Sequence, residues 1–270
     1  PAADPGRTAM TPGAPVAILT GGSGGLAPGI AAALLEAGFV LVLTARGADA
    51  LDAAAQRLRT QTGGAVAAIP SDARDTASAR ALAQQALARF GRIDVLVNAA
   101  ASSTPIGGAI EEVDVAALIA DADVKVGGYL RYIQAVVPAM KQAGRGHIVN
   151  IGGLTGRSSD TLSGLRNAAV SHLTKVLSDQ LGPFAITVNA VHPGIVRTPH
   201  LEELFAELAH ERGATVAEIE AGFVADIPTG TILSPGDVGR MVAFLATAGD
   251  AALTGQSLTV DGGYSRGIFL

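Results

Sequence analysis

The sequence predicts an α/β fold: a doubly wound parallel sheet of seven strands with helices on both faces. Three observations carry this. Short β-branched runs alternate with longer alanine- and leucine-rich runs along the chain. The strand-like runs lack strict polar–apolar alternation, so they read as strands buried on both faces. A glycine-rich turn joins the first apolar run to the first helix-like run.

In order, the predicted strands are Val16–Thr20, Val40–Thr44, Ala65–Pro70, Val95–Asn98, His147–Ile151, Ile186–Val191 and Ser257–Val260. Helices are predicted near Pro28–Ala37, Ala48–Thr60, Thr76–Phe90, Ala116–Lys141 and Leu162–Leu181, and their alanine content suits close packing on a sheet. The stretch Thr198–Asp237 breaks the rhythm with a helix-like run at Leu201–Arg212, then Gly213, then a second run ending near Pro228. An excursion beyond a strand's C-terminal edge is where an open α/β sheet places a ligand lid. With no repeat or low-complexity linker, residues 15–270 read as one domain with a lid at about 198–237, and residues 1–14 as a flexible tail with Met10 as a candidate start.

Composition narrows the function. The chain has 270 residues, 49% of them hydrophobic and 16% charged, enough for a large core and too few charges for long disordered stretches. A net charge of −5 without like-charge runs argues against a nucleic-acid partner. The absence of cysteine removes disulfides and thiolate metal sites and agrees with a reducing, cytoplasmic setting. The apolar segments are short and punctuated, so no membrane span is expected, and Pro1–Pro15 has no apolar core of the kind a secretory signal needs. His147, His172 and His210 are scattered and suggest no metal site.

The turn Gly21-Gly-Ser-Gly-Gly25-Leu-Ala27 lies between the strand ending at Thr20 and the helix opening at Pro28. Glycines there let backbone N–H groups approach a pyrophosphate at the positive end of a helix, the arrangement of a Rossmann-type dinucleotide site. The bland alternative is a tight turn and nothing more.

From Val16 to Gly263 the chain resembles the short-chain dehydrogenase/reductase family. Thr20-Gly-x-x-x-Gly25-Leu-Ala27 is similar to the family's T-G-x-x-x-G-x-G, with Ala27 at the third glycine. Asp72 follows the third strand, where the family's aspartate meets adenine. Asn98-Ala-Ala-Ala101 resembles N-N-A-G, with only the first Asn kept. Val188-Asn-Ala-Val-His-Pro193-Gly194 followed by Thr198 resembles the segment that holds the nicotinamide, and Val260-Asp-Gly-Gly263 matches the C-terminal signature. The resemblance implies a dinucleotide held by Gly21, Ser23, Gly25, Leu26, Arg46, Asp72, Ala73, Asn98, Ala99, Ala100, Pro193, Gly194, Ile195 and Thr198. Asp72 also reads as a helix N-cap, and Asn98 as a tie between strands.

The second strand runs into Ala45-Arg46. An acidic residue at position 45 would select NAD, whereas a guanidinium can fork onto a 2′-phosphate. The resemblance therefore implies NADP(H) in preference to NAD(H), although the glycine loop carries no basic residue and Arg46 also reads as a solvated turn residue.

The family's catalytic set is a Tyr-x-x-x-Lys pair, a Ser and an Asn. Here Tyr129, Tyr132 and Tyr264 are followed four residues on by Ile133, Val136 and Ile268, so the pair is missing in any register. Counting back from Pro193-Gly194 in step with Leu173-Thr174-Lys175 places Asn167 at the family's Lys and Ser163 at its Tyr, keeping Leu173, Val176, Leu177 and Leu181 in apolar spacing. Gly153 falls at the Ser, after a shortened loop, and Lys125 at the Asn. A different gap would put Arg166 at the Tyr and Val170 at the Lys.

Lys125 and Asn167 look reciprocal. The expectation is that Lys125 delivers the ammonium from the preceding helix, as an acid or an electrostatic anchor, while Asn167 holds the nicotinamide ribose or a water. The alternative sends Lys125 to solvent or to Asp121 or Asp123. A bolder expectation pairs Lys125 with Tyr129, i and i+4 on one face, so that the ammonium depresses the phenol's pKa. The alternative has Tyr129 packing only. Ser102, Ser103, Thr104, Ser158, Ser159, Asp160, Thr161, His192 and His200 are polar candidates around the site mouth, each reading first as an ordinary loop residue.

Three functions follow: an atypical NADP(H)-dependent oxidoreductase acting on a small carbonyl or alcohol, the same scaffold turned to isomerase, dehydratase or cyclase chemistry, or a dinucleotide-binding subunit without turnover. The resemblance also implies a homo-oligomer pairing the helices around Lys125–Lys141 and Leu162–Leu181, where Ala168 and Ala169 would permit close packing. Leu201, Leu204, Phe205, Leu208, Phe223 and Ile227 hint at an apolar ligand.

Overall fold

A computed structural model describes residues 13–102, 106–157, 161–248 and 252–267. Most of the predicted tail, and Ser103, Thr104, Ser158, Ser159, Asp160 and Ile268, lie outside the described residues. The elements in order are β1 (Val16–Thr20), α1 (Ala27–Glu36), β2 (Val40–Thr44), α2 (Ala48–Thr62), β3 (Val66–Ala68), α3 (Thr76–Phe90), β4 (Val95–Asn98), α4 (Val115–Ala122) and α5 (Gly128–Ala143). They continue with β5 (Gly146–Ile151), α6 (Gly164–Leu181), β6 (Ile186–Pro193), α7 (Pro199–Arg212), α8 (Val216–Ala225), α9 (Pro235–Thr247) and β7 (Ser257–Val260).

The strands form one parallel sheet in the order β3-β2-β1-β4-β5-β6-β7. Alternate residues of β1 enter different cores. Ala17 and Leu19 pack with α1, α2 and α9, whereas Val16 and Ile18 pack with α3, α5 and α6. Both faces of the strand thus need apolar residues, which is why its sequence shows no alternation. Among the described residues no helix is long and apolar enough to cross a membrane.

Beyond shifts of one or two residues at other element ends, the structure departs from the sequence expectation at several points. The third strand is Val66–Ala68, shorter at both ends than Ala65–Pro70. The span Ala116–Lys141 is not one helix: a π-helical turn at Asp123–Gly127 separates α4 from α5. Arg131 braces this wide turn by donating to the Asp123 carbonyl (3.2 Å) and carboxylate (2.6 Å). Val176, placed in the apolar spacing of α6, is exposed, while Leu177 and Leu181 are buried. Finally, α9 has no counterpart in the sequence reading, although Ser234 and Asp237 form a reciprocal capping box at its start.

The excursion after β6 consists of α7 and α8, whose Phe205, Ala209 and Ile219 form a small core with Ile227 and Ile232. Phe205 and Phe223 meet edge to face at 5.0 Å. The main fold resumes at Pro235, slightly before the predicted end of the lid, because the first turn of α9 already belongs to the helix that backs the sheet.

Candidate active site and nucleotide cleft

The strand order reverses at β1 and β4, so their C-terminal ends open a crevice of the kind in which doubly wound sheets take ligands. Thr20 closes β1, and its Oγ1 accepts from the N–H groups of Ala99 (3.0 Å) and Ala100 (3.2 Å), clamping the two strand ends together. Gly21 follows with φ +69°, and a Cβ there would lie 2.9 Å from the Ala99 carbonyl oxygen. Conformation and close approach both require glycine. The Gly24 N–H then donates to Gly21 O (2.8 Å) and the Ala27 N–H to Gly24 O (3.1 Å), a tight turn that runs directly into α1.

A cleft of about 230 Å³ opens beside this turn. Of the residues expected to hold a dinucleotide, Gly21, Ser23, Arg46, Asp72, Ala73, Ala99 and Ala100 line it. Asp72 is held by the Arg74 N–H (2.9 Å), whose hydrogen bond keeps its carboxyl below the usual range, assisted by the charges of Arg74 and Arg46. The α3 N-cap is Asp75, so the capping alternative for Asp72 falls away. Arg46 is exposed and follows Ala45, which leaves no carboxylate at the end of β2 to repel a phosphate. These groups fit the adenosine half of a nicotinamide dinucleotide.

The remaining predicted contacts sit elsewhere. Gly25 lies against Thr198, which caps α7 by accepting from the Leu201 N–H (3.3 Å), and Leu26 is the N-cap of α1. Pro193 ends β6, the Gly194 N–H donates to Val260 O (2.8 Å), and Ile195 O accepts from the Leu233 N–H (3.1 Å), so this segment is held by β7 and the approach to α9. Asn98 is fully buried, and its Nδ2 donates to Asn150 Oδ1 (3.0 Å). It ties β4 to β5 and does not line the cleft, in keeping with its structural alternative.

A second group of residues gathers where β5 ends. Lys125 stands in the π-helical turn at 4% exposure and donates from Nζ to the Gly152 carbonyl (2.9 Å). It therefore reaches neither solvent nor Asp123, which pairs with Arg131. Burial, then the nearby Arg166 charge, pushes the Lys125 ammonium down to about 7, with Asp121 opposing. Asp121 itself, at 5% exposure, is paired with Arg166, whose guanidinium also donates to the Ser102 carbonyl (3.3 Å). Asp121 Oδ2, Arg166 Nε and Asn167 Oδ1 are buried without a hydrogen-bond partner.

Asn167 occupies the space that a side chain at position 153 would need. A Cβ on Gly153 would lie 2.8 Å from Asn167 Nδ2, and that amide donates to Thr155 Oγ1 (2.7 Å). Gly152 likewise abuts the His192 ring. The structure therefore brings Lys125, Asn167 and the Gly152–Gly153 pair together. Ser163 is buried and its Oγ accepts from the Ile106 N–H (2.9 Å), fixing the loop after β4.

Two expectations are corrected here. Tyr129 is fully buried and donates to Ile151 O (2.9 Å), and burial raises its phenol far above the ordinary value instead of Lys125 depressing it. His192 does not line the site mouth: it is buried, with Nδ1 at the Gly153 backbone and Nε2 on Ser171 Oγ (3.1 Å). Of the other polar candidates, Thr161 donates to Ile106 O (2.8 Å), Ser102 receives Arg166 through its carbonyl, and His200 is exposed beside Glu203.

Sequence reasoning missed the Asp121–Arg166 pair and the Thr155–Asn167 contact. Asp121 stands four residues before Lys125, a spacing that places them on one helical face, but nothing in the sequence pairs it with Arg166.

The same architecture occurs in known proteins. A family profile described as enoyl-(acyl carrier protein) reductase matches residues 21–265. A Streptomyces virginiae protein, provisionally named a ketoacyl reductase of the monensin polyketide synthase, is 34% identical over 254 residues, 92% of this chain and 96% of that one. A Staphylococcus epidermidis diacetyl reductase, (S)-acetoin forming, is 32% identical over 254 residues, covering 92% and 97%. The crystal structure of an actinorhodin polyketide ketoreductase variant with NADPH superposes with a TM-score of 0.87 at 31% identity, covering 95% of this chain and 99% of that one. With its all-parallel seven-stranded sheet, its glycine turn at the switch point and these similarities, the chain belongs to the short-chain dehydrogenase/reductase family of oxidoreductases.

Proposed function

We propose that this chain is an NADP(H)-dependent reductase of small-molecule carbonyls that works without the family's Tyr-x-x-x-Lys pair. The observation that carries the reading is the cleft at the end of β1. It combines the Gly21 turn, Asp72 and an Arg46 that no carboxylate precedes. Relatives named for ketoacyl and diacetyl reduction support the carbonyl substrate class.

Bound NADPH would supply a hydride to the carbonyl carbon, leaving the chain to orient the substrate and deliver a proton to the carbonyl oxygen. Lys125 is our candidate for holding that proton, because its ammonium lies near neutrality and is anchored on the Gly152 carbonyl. Asn167 is our candidate for the ribose contact. Its Nδ2 is committed to Thr155, while its buried Oδ1 has an open acceptor site for a hydroxyl. Ser163 acts through the loop it pins at Ile106. Pro193, Gly194, Ile195 and Thr198 would border the nicotinamide half, with α7 and α8 as the lid. Two copies would associate through α5 and α6.

The second reading is binding without reduction, or a different reaction on the same scaffold. It is favoured by the filling of the Gly153 position by Asn167 and by the burial of both Tyr129 and Lys125. NADPH consumption against a carbonyl panel that includes butane-2,3-dione separates the readings. Turnover that falls roughly 10²–10⁴-fold in Lys125→Met supports the first. Saturable NADPH binding with no consumption across the panel supports the second.

A further inference from the structure

A second cavity, of about 280 Å³, lies at the opposite edge of the sheet, where the strands begin. Pro15 precedes β1, Asp94 precedes β4, and Gly146 and His147 open β5. Part of its lining is apolar, from Pro15, Ala37, Phe39 and Ala246, and part is charged, from Arg92, Asp94 and Arg145.

The Asp94 carboxylate is saturated. Arg92 holds both of its oxygens, from Nε (2.7 Å) and Nη2 (2.6 Å), and the Val16 N–H adds a third bond (2.8 Å). Arg145 lies beside the same carboxylate at 3.6 Å, an ion pair without a hydrogen bond. Among the described residues its guanidinium donates to no acceptor. Two guanidiniums therefore face one carboxylate, and the cavity keeps one positive charge. His147 adds none near neutrality. Its Nδ1 is engaged with Thr187 Oγ1 (2.9 Å), and burial holds the imidazole below its ordinary value against the pull of Asp94.

We propose that this cavity is a second ligand site, taking a small monocarboxylate with an apolar body, its carboxylate on the Arg145 guanidinium and its body against Pro15, Phe39 and Ala246. A planar guanidinium meets a carboxylate in a two-bond fork. One unmatched positive charge suits a monoanion, whereas a phosphate dianion would keep uncompensated charge beside Asp94. The volume lies at the small end of ligand pockets, which begin at roughly 300 Å³, so the body is about the size of one ring. The cavity shares no lining residue with the nucleotide cleft, so the inference stands apart from the nucleotide reading.

The test titrates the full chain with benzoate by calorimetry, with benzamide, acetate and inorganic phosphate as comparators. Benzoate is expected to saturate one site. Benzamide lacks the charge and acetate lacks the ring, so each should bind at least roughly tenfold more weakly. Arg145→Met should lower benzoate affinity roughly ten- to a hundredfold, the range of a charge-assisted hydrogen bond. Its ligand-free unfolding midpoint should hardly move, because Asp94 keeps Arg92 and an exposed ion pair contributes little. Absence of benzoate binding, or affinity unchanged in Arg145→Met, overturns the proposal. So does a large fall in the ligand-free midpoint of that variant, which would assign Arg145 to the fold. Acetate or phosphate binding as tightly as benzoate overturns the ligand class. NADPH titration decides the nucleotide reading separately, so either reading can fail while the other stands.

Discussion

Replacing Lys125 by Met should make the protein more stable at neutral pH and remove a pH dependence that the wild type must show. Lys125 is fully enclosed, and burial together with the Arg166 charge holds its ammonium at about 7 against an ordinary 10.5. A tenfold change in proton affinity corresponds to about 1.4 kcal/mol, so keeping this ammonium buried costs at most about 5 kcal/mol. The unfolded chain keeps the proton up to 10.5, whereas the folded chain releases it above about 7. Between those values the unfolded state binds more protons, so wild-type stability rises with pH, by at most about 1.4 kcal/mol per pH unit. The penalty is complete and flat below pH 7 and gone above 10.5. Met retains the apolar stem without the charge, giving up one hydrogen bond to the Gly152 carbonyl. Urea denaturation of both proteins from pH 6 to 9.5 measures the difference directly. The buried phenols of Tyr129 and Tyr132 are common to both and cancel. The variant should lead at pH 6.5, and its lead should shrink by about 2–3 kcal/mol by pH 9. A difference that does not change with pH would refute the reasoning, because Lys125 would then keep its proton as readily folded as unfolded.

Gly153→Ser should destabilise the fold by about 1–3 kcal/mol, because its Cβ would meet the Asn167 amide. The loss should shrink by at least about 1 kcal/mol when Asn167→Ala is added, and a double-mutant cycle in thermal or urea unfolding reads that coupling. Arg46→Glu should reverse the dinucleotide preference, weakening NADPH at least roughly tenfold while leaving NADH binding in place, as measured by calorimetry. Tyr129→Phe should cost only about 1 kcal/mol in unfolding experiments, the hydrogen bond to Ile151 O, and should leave the pH–rate profile unmoved.

The architecture was largely legible because its signals are local. Val16–Leu19 must be apolar throughout to serve two cores, and the Gly21 turn must be glycine to pass Ala99. The α9 helix was legible in principle, since Ser234 and Asp237 form a capping pair three residues apart, but the lid-like excursion before it drew the reading past its start. The π-helical turn at Asp123–Gly127 was not legible, because it is imposed by tertiary contacts. Arg131 reaches back to Asp123, and Gly128 seats against Ala73. Site chemistry divides the same way. Register counting placed Gly153 at the family's Ser and Asn167 at its Lys, and in the structure these two residues lie side by side. The fate of Tyr129 depended on burial, which i, i+4 spacing cannot report, so the expected depression of its phenol became the reverse. His192 misled for the same reason: adjacency to Pro193-Gly194 suggested a site mouth, while its ring lies beneath Gly152.

The central claim is that the cleft at the ends of β1 and β4 holds a phosphorylated dinucleotide. Isothermal titration of the full chain with NADPH and with NADH tests it most directly. The account predicts saturable one-site binding of NADPH, tighter than NADH, and the tighter ligand should raise the unfolding midpoint further. No heat of binding and no midpoint shift with either nucleotide, reduced or oxidised, would contradict it.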